Sequence, residues 1–154
     1  MHDAKPDPNS RAELRGRLTG PDEIAALLRG MRRIAVVGCS PKPWRDSHRV
    51  ARYLIEVGYD VVPVNPAADE IFSRRVYPSV RDVPGPVDLV DIFRRSELVP
   101  PVVEDAIASG AKAVWMQDGV IHETAAEQAI AAGLTVVMDR CILRDHRAFV
   151  ASGR

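Results

Sequence analysis

Short apolar runs alternate along this chain with stretches whose apolar residues recur at helical spacing. The clearest unit spans 33–66. Ile34-Ala35-Val36-Val37 is an apolar run that stops at Gly38-Cys39-Ser40-Pro41-Lys42-Pro43. Val50, Tyr53, Leu54 and Val57 then fall on one helical face, with Gly58 as the stop. Val61-Val62-Pro63-Val64 follows and ends at Asn65-Pro66. The pattern predicts a strand, a loop, a helix and a parallel strand. A right-handed crossover returns the chain to its starting side, so the loops after both strands share one edge of the sheet. Ligands of open α/β sheets bind at that edge.

The alternation extends in both directions. Pro21 to Leu28 reads as a short amphipathic helix with Ile24, Leu27 and Leu28 as its stripe; Pro21, Asp22 and Glu23 suit its first turn. It is expected to pack across the sheet. The stretch 69–83 is less regular: Arg75-Val76-Tyr77 fits a short edge strand and 79–83 a single turn, halted by Pro84-Gly85-Pro86. Val87 to Phe93 then predicts a strand, Pro100-Pro101 opens a helix that Gly110 stops, and Ala113 to Met116 is the next strand. A helix from about Glu123 to Ala132, ended by Gly133, precedes a last strand from Thr135 to Met138. Repeated strand and helix with glycine stops predicts an α/β fold, doubly wound and mostly parallel, with helices on both faces in three α/β/α layers. Residues 21–150 form the expected domain. Met1 to about Gly20 has few large apolar residues and reads as a flexible N-terminal arm.

Bulk properties narrow the function classes. The 154 residues suffice for one domain with a real core. Lys+Arg and Asp+Glu both number 21, so no overall charge draws the chain to nucleic acid or an anionic membrane. Any anion binding is local. No apolar stretch approaches the roughly 20 residues of a membrane span, and the N-terminus lacks a signal-peptide core, so a soluble, cytoplasmic protein is expected. Cys39 and Cys141 make neither a disulfide framework nor a zinc spacing, which fits a reducing compartment.

Each predicted strand ends in groups able to meet a ligand: Gly38-Cys39-Ser40, Asn65-Pro66, Phe93-Arg94-Arg95, Gln117-Asp118-Gly119 and Asp139-Arg140-Cys141. The first loop has one glycine where the dinucleotide fingerprint needs three. Asp46 or Ser47 can cap the following helix, whose leading N–H groups favour a phosphate, and Lys42, Arg45 and Arg49 add full charges. Asn65-Pro66 replaces the acidic residue that normally holds an NAD ribose, and so does not repel a more heavily phosphorylated nucleotide. Arg94-Arg95 can fork onto phosphate oxygens, and Phe93 can cover a base or an apolar linker. Catalytic signals are weaker. His48 reads as a surface or packing residue, His122 as an aid to helix initiation and His146 as an exposed structural residue in a basic tail. Asp88 and Asp91 point to opposite sides of a strand, and Asp139-Arg140 reads as a local ion pair or cap. Cys39 sits near a helix N-terminus and cations, both of which lower a thiol's pKa. It is therefore a candidate for a mixed disulfide, against the simpler reading of a small residue in a tight loop.

Several separated motifs, in order, resemble the small stand-alone CoA-binding proteins. They are Gly38 to Pro43, Tyr53-Leu54, Gly58-Tyr59, Val62-Pro63-Val64-Asn65-Pro66, Val87 to Arg95, Gly110 to Gln117, and Val137-Met138-Asp139-Arg140-Cys141. That family's fold is similar to the CoA-binding domain of the succinyl-CoA synthetase alpha subunit. The resemblance covers roughly Arg32 to His146 and implies a Rossmann-like sheet carrying coenzyme A along its loop edge. It implies that Gly38, Cys39, Ser40, Pro41, Lys42 and Pro43, together with Phe93, Arg94 and Arg95, line the nucleotide and pantetheine path beside Asn65 and Pro66. Arg45 and Ser47 join them from the helix start, and Gln117 and Gly119 match the segment after the next strand. Asp118 stands where the family usually has an apolar residue. The expected function is binding of CoA or an acyl-CoA, as carrier, sensor or accessory protein, alone, as a homodimer or with a protein partner. An NAD(P)-binding oxidoreductase-like protein and a ligand-free interaction module are the alternatives.

Overall fold

The computed structural model describes residues 16–153. Its strands are β1 (Gly16–Arg17), β2 (Arg33–Val37), β3 (Asp60–Val64), β4 (Glu70–Ile71), β5 (Arg74–Arg75), β6 (Leu89–Ile92), β7 (Ala113–Met116) and β8 (Thr135–Val137). The helices are α1 (Pro21–Gly30), α2 (Asp46–Glu56), α3 (Val99–Ala108), α4 (Glu123–Ala131) and α5 (Ile142–Ala151). Single 3-10 turns at Val80–Asp82 and Ser96–Leu98 complete the order.

Continuous apolar runs such as Ile34 to Val37 and Val114 to Met116 leave no polar face for water, so they need cover on both sides. The fold supplies it. The sheet runs β1-β8-β7-β6-β2-β3 with all neighbours parallel. One face, with Ala35, Val37, Val90, Ile92, Val114 and Met116, packs under α3 and α4 through Val99, Val103, Ala106, Ala125 and Ala129. The other, with Ile34, Val36, Leu89 and Trp115, packs under α1, α2 and α5 through Leu27, Leu28, Val50, Leu54 and Ile142. The expected Rossmann-like three-layer α/β/α sheet is the observed one.

The strand order fixes where a ligand can sit. From β2 the chain crosses to β3 on one side and later places β6 on the other; Ala35 pairs with Val62 and with Val90. The crossovers diverge there, opening a crevice at the carboxyl end of β2 and β6.

Three expectations are corrected. The sequence places the flexible arm up to about Gly20, but Gly16 and Arg17 pair with Thr135 and Val136 as an edge strand, and Leu18 is buried; residues 1–15 of that arm lie outside the described residues. The edge strand expected at Arg75-Val76-Tyr77 is instead the small hairpin β4–β5 followed by a single bridge of Tyr77 to Val64. Tyr77 takes the free groups beside β3, donating to Pro63 O and accepting from Asn65 N, which closes a sheet edge. The supposed basic tail is α5, which packs on α1 and α2. His146 is buried there, its Nδ1 2.8 Å from the Tyr53 hydroxyl. Among the described residues no helix is long and apolar enough to cross a membrane.

Gly38 is the residue that the crevice cannot do without. Its φ is +81°, and a Cβ there would stand 2.1 Å from the Phe93 carbonyl oxygen. Gly38→Ala is expected to destabilise the fold by roughly 2–4 kcal/mol through overpacking and left-handed strain. Urea unfolding reads this as a lower midpoint; an unshifted midpoint contradicts the close approach.

Candidate functional site

The site begins where β2 ends. Phe93 N donates to Val37 O at 2.9 Å and Gly38 N to Val64 O at 2.8 Å, so the two loops leave the sheet with their backbones in contact. The first loop is then braced internally. Ser40 N donates to Ser47 Oγ at 3.0 Å, Lys42 N to Ser40 Oγ at 3.1 Å, and His48 Nδ1 lies 2.9 Å from Ser40 O. Ser47 thus ties down the loop instead of capping α2. Asp46 does not cap it either: Arg45 is the N-cap and its side chain makes no capping hydrogen bond, which leaves that helix end a favourable place for an anion.

Between these loops lies an open cleft of about 970 Å3. From the expected set it gathers Gly38, Ser40, Lys42, Arg45, Ser47, Phe93, Arg94, Arg95 and Gln117. Cys39, Pro41, Pro43, Asn65, Pro66 and Gly119 do not line it. Asn65 donates through Nδ2 to Cys39 O at 2.9 Å and accepts at Oδ1 from Ala67 N at 2.9 Å, so both ends of its amide hold the backbone. Gly119 is likewise engaged, its N–H donating to Asp139 Oδ1 and its carbonyl accepting from Ser96 Oγ.

Of the two readings of Cys39, the low-pKa thiol is the one that the structure contradicts. The side chain is wholly buried in the core under α2, and burial, with the Asp91 carboxyl adding to it, pushes its pKa up to about 12. Desolvation outweighs the helix end and the nearby cations. The low-pKa, mixed-disulfide reading is therefore withdrawn.

Cys141, from the last of the strand endings expected to meet a ligand, lines the cleft as well. Trp44, Val120 and Arg144, which the sequence pattern did not single out, complete its wall. Arg144 comes from α5 and makes a two-pronged contact with Asp118 at 3.0 and 3.1 Å, so the helix missing from the sequence reading also supplies the site. Its signal was present in the spacing of Ile142, His146 and Phe149. Arg140 is anchored in the same fashion on Asp145, both bonds 2.7 Å. Neither Arg140 nor Asp139 forms the ion pair that their adjacency suggested. His122 does start α4, accepting from Ala125 N at 3.0 Å.

Beneath Gln117 sits Asp91, fully buried. Its Oδ1 accepts from Gln117 Nε2 at 2.5 Å, while Oδ2 has no partner among the described residues. Burial pushes this carboxyl from its ordinary 3.8 up to about 7, and the Gln117 bond offsets only part of that. Asp88 lies at the other end of the strand, where Oδ2 accepts from the N–H groups of Arg32 and Arg33. The two do not form a carboxylate pair.

Fold and cleft define an α/β domain whose ligand edge lies at a topological switch point and is rimmed with cations. Residues 32–147 match the model of the CoA binding domain family, and the chain belongs to that family. It is 40% identical over 124 residues to the uncharacterized protein YneT of Bacillus subtilis (strain 168), a match covering 80% of this chain and 92% of the relative. A hypothetical protein from Pyrococcus horikoshii OT3 has a solved structure with a TM-score of 0.84 and 39% identity, covering 97% of this chain and 99% of that one. The alpha subunit of acetate–CoA ligase (ADP-forming) I from Pyrococcus furiosus is 36% identical over 87 residues, which is 53% of this chain and 19% of that subunit.

Asp91 makes a pH-dependent contribution with a definite sign. Between the unfolded value near 3.8 and the folded value of about 7, the folded state binds more protons. The associated stability is complete below the lower value and is lost as pH rises through the upper one. Asp91→Asn keeps the shape and cannot ionise. Wild type is expected to lose on the order of 2–4 kcal/mol relative to this variant from about pH 4 to about pH 8. Thermal melts across that range test it; parallel curves for the two proteins contradict it.

Proposed function

We propose that the cleft binds coenzyme A or an acyl-CoA across the β2–β6 switch point, and that the protein serves as a carrier, sensor or accessory protein for that ligand. The observation that carries this reading is the rim of Lys42, Arg45, Arg94 and Arg95 on a chain whose charges balance at 21 and 21. Among the described residues, Lys42, Arg45 and Arg94 have no carboxylate within ion-pair distance, whereas Arg49, Arg95 and Arg144 do. Unpaired cations concentrated at one edge call for an anion. CoA brings a pyrophosphate and a ribose 3′-phosphate.

The remaining surface suits the rest of the molecule. Phe93 and Val120 offer apolar contact to the pantetheine arm, and Gln117 and Ser40 offer polar contact to its amides. The volume of about 970 Å3 accommodates an extended ligand. Asn65, which braces the first loop, places no carboxylate beside the phosphates. The named activity of the ligase relative above, acetate–CoA ligation, also involves CoA. Cys39 supplies no ready nucleophile at the site, because its buried thiol is held at about 12. The reading is therefore one of binding.

Calorimetric titration of ligand-free protein with CoA, dephospho-CoA and NAD tests it. CoA is expected to bind saturably and dephospho-CoA more weakly. Charge-assisted bonds contribute about 1.5–3 kcal/mol each before desolvation, so Arg94→Ala/Arg95→Ala is expected to lose roughly 10-fold to 100-fold in affinity. Preference for NAD overturns the reading in favour of a dinucleotide-binding protein, and silence with every ligand favours an interaction module.

A further inference from the structure

The two tryptophans of this chain have opposite environments. Trp115 is fully buried in the sheet, its indole N–H donating to Arg140 O at 2.8 Å. Trp44 is 73% exposed at the wall of the cleft. An indole left in water forgoes the favourable burial that a large aromatic side chain ordinarily gains, and a ring this exposed keeps a face open to a ligand.

The loop that carries Trp44 is built to present it. Pro41 and Pro43 fix two backbone torsions before it. Lys42 N donates to Ser40 Oγ, and Arg45 N donates to Lys42 O at 3.1 Å, so the turn is closed on both sides of the ring. The Lys42 ammonium lies 5.9 Å from the ring centroid, close enough for a cation to hold the indole in place. Ordering such a ring on binding costs less entropy than ordering a tethered one. On either side in sequence stand Lys42 and Arg45, two of the three rim cations with no carboxylate partner among the described residues. A flat ring flanked by two phosphate-seeking charges has the chemistry of an adenosine phosphate site.

We infer that Trp44 stacks on the adenine ring of the bound nucleotide and is the residue through which the cleft selects a ligand with a base over one with phosphates and pantetheine alone. The inference rests on the nucleotide reading of the cleft above, and goes beyond it by naming the base-recognition residue. Aromatic stacking on a base is expected to contribute about 5-fold to 100-fold in affinity.

Because Trp115 is sequestered, acrylamide-accessible emission of the native protein comes from Trp44. Titrations that follow this emission in wild type, and calorimetry on wild type, Trp44→Ala and Trp44→Phe, use CoA, adenosine 3′,5′-bisphosphate and 4′-phosphopantetheine. CoA and the bisphosphate are expected to quench Trp44 and shield it from acrylamide. Both should lose about 5-fold to 100-fold in affinity for Trp44→Ala and recover most of it in Trp44→Phe, while phosphopantetheine binds wild type and Trp44→Ala alike. Wild-type CoA binding that is equally tight in Trp44→Ala overturns the inference and leaves the nucleotide reading standing. An equal loss for phosphopantetheine also overturns it, since the ring would then act on the loop and not on the base. If wild type binds none of the three, the nucleotide reading fails and the inference falls with it.

Discussion

The structure depends on one close backbone approach, that of Gly38 to Phe93 at the ends of two adjacent parallel strands. With no Cβ at residue 38, β2 and β6 can run side by side to their last hydrogen bond and release their loops in opposite directions from nearly the same point. Every other feature of the edge is referred to that contact. Ser47 and Ser40 brace the first loop, and Asn65 reaches from the end of β3 to hold the Cys39 carbonyl. The second loop carries Arg94 and Arg95 across the same gap. A cleft arises because the loops diverge from two well-packed strands, and α2 and α5 add to its walls.

Electrostatics at this edge are local in origin. The chain as a whole has balanced charge, yet the strand-end loops bring cations together while the carboxylates near them are partly engaged elsewhere. Asp118 is held by Arg144, Asp46 by Arg49 and Asp145 by Arg140. Below the rim the polarity reverses. Asp91 and Cys39 are both buried on the α2 side of the sheet, and burial favours the uncharged form of each. Two layers result, with cations facing solvent and neutralised acids beneath, so the rim's positive charge is not cancelled from below when the carboxyl is protonated.

Much of this was legible in the sequence because the central strands obey a strong rule. Parallel strands covered on both faces must be apolar throughout, and Ile34 to Val37, Val61 to Val64 and Ala113 to Met116 meet it. Glycine stops then mark the helices, and the order of motifs specifies the edge where ligands bind. What failed to show had physical reasons. Gly16–Arg17 is too short to have a period of its own and is a strand only because β8 lies beside it. α5 buries His146 and Asp145, polar residues that look solvent-bound until Tyr53, distant in sequence, and Arg140 are found against them. The reactive-thiol reading of Cys39 fails because charge proximity in sequence says nothing about direction, and its side chain lies in the core. Asn65 has the chemistry of a ligand contact, but both ends of its amide are occupied by backbone groups. Trp44 lies outside the pattern of charges and glycines that marks a phosphate loop, although an isolated aromatic in a proline-bounded polar loop is itself a signal.

The central claim is that ligand recognition occurs at the carboxyl edge of the sheet, across the Gly38–Phe93 crevice. Amide hydrogen exchange with and without saturating CoA tests it by location. Protection is expected in the loops at 38–47, 93–95 and 117–120, with no change around Tyr59 and Phe149, which line a smaller pocket elsewhere on the surface. Protection centred on Tyr59 and Phe149, or no protected segment at the carboxyl edge under conditions where CoA is bound, contradicts the account.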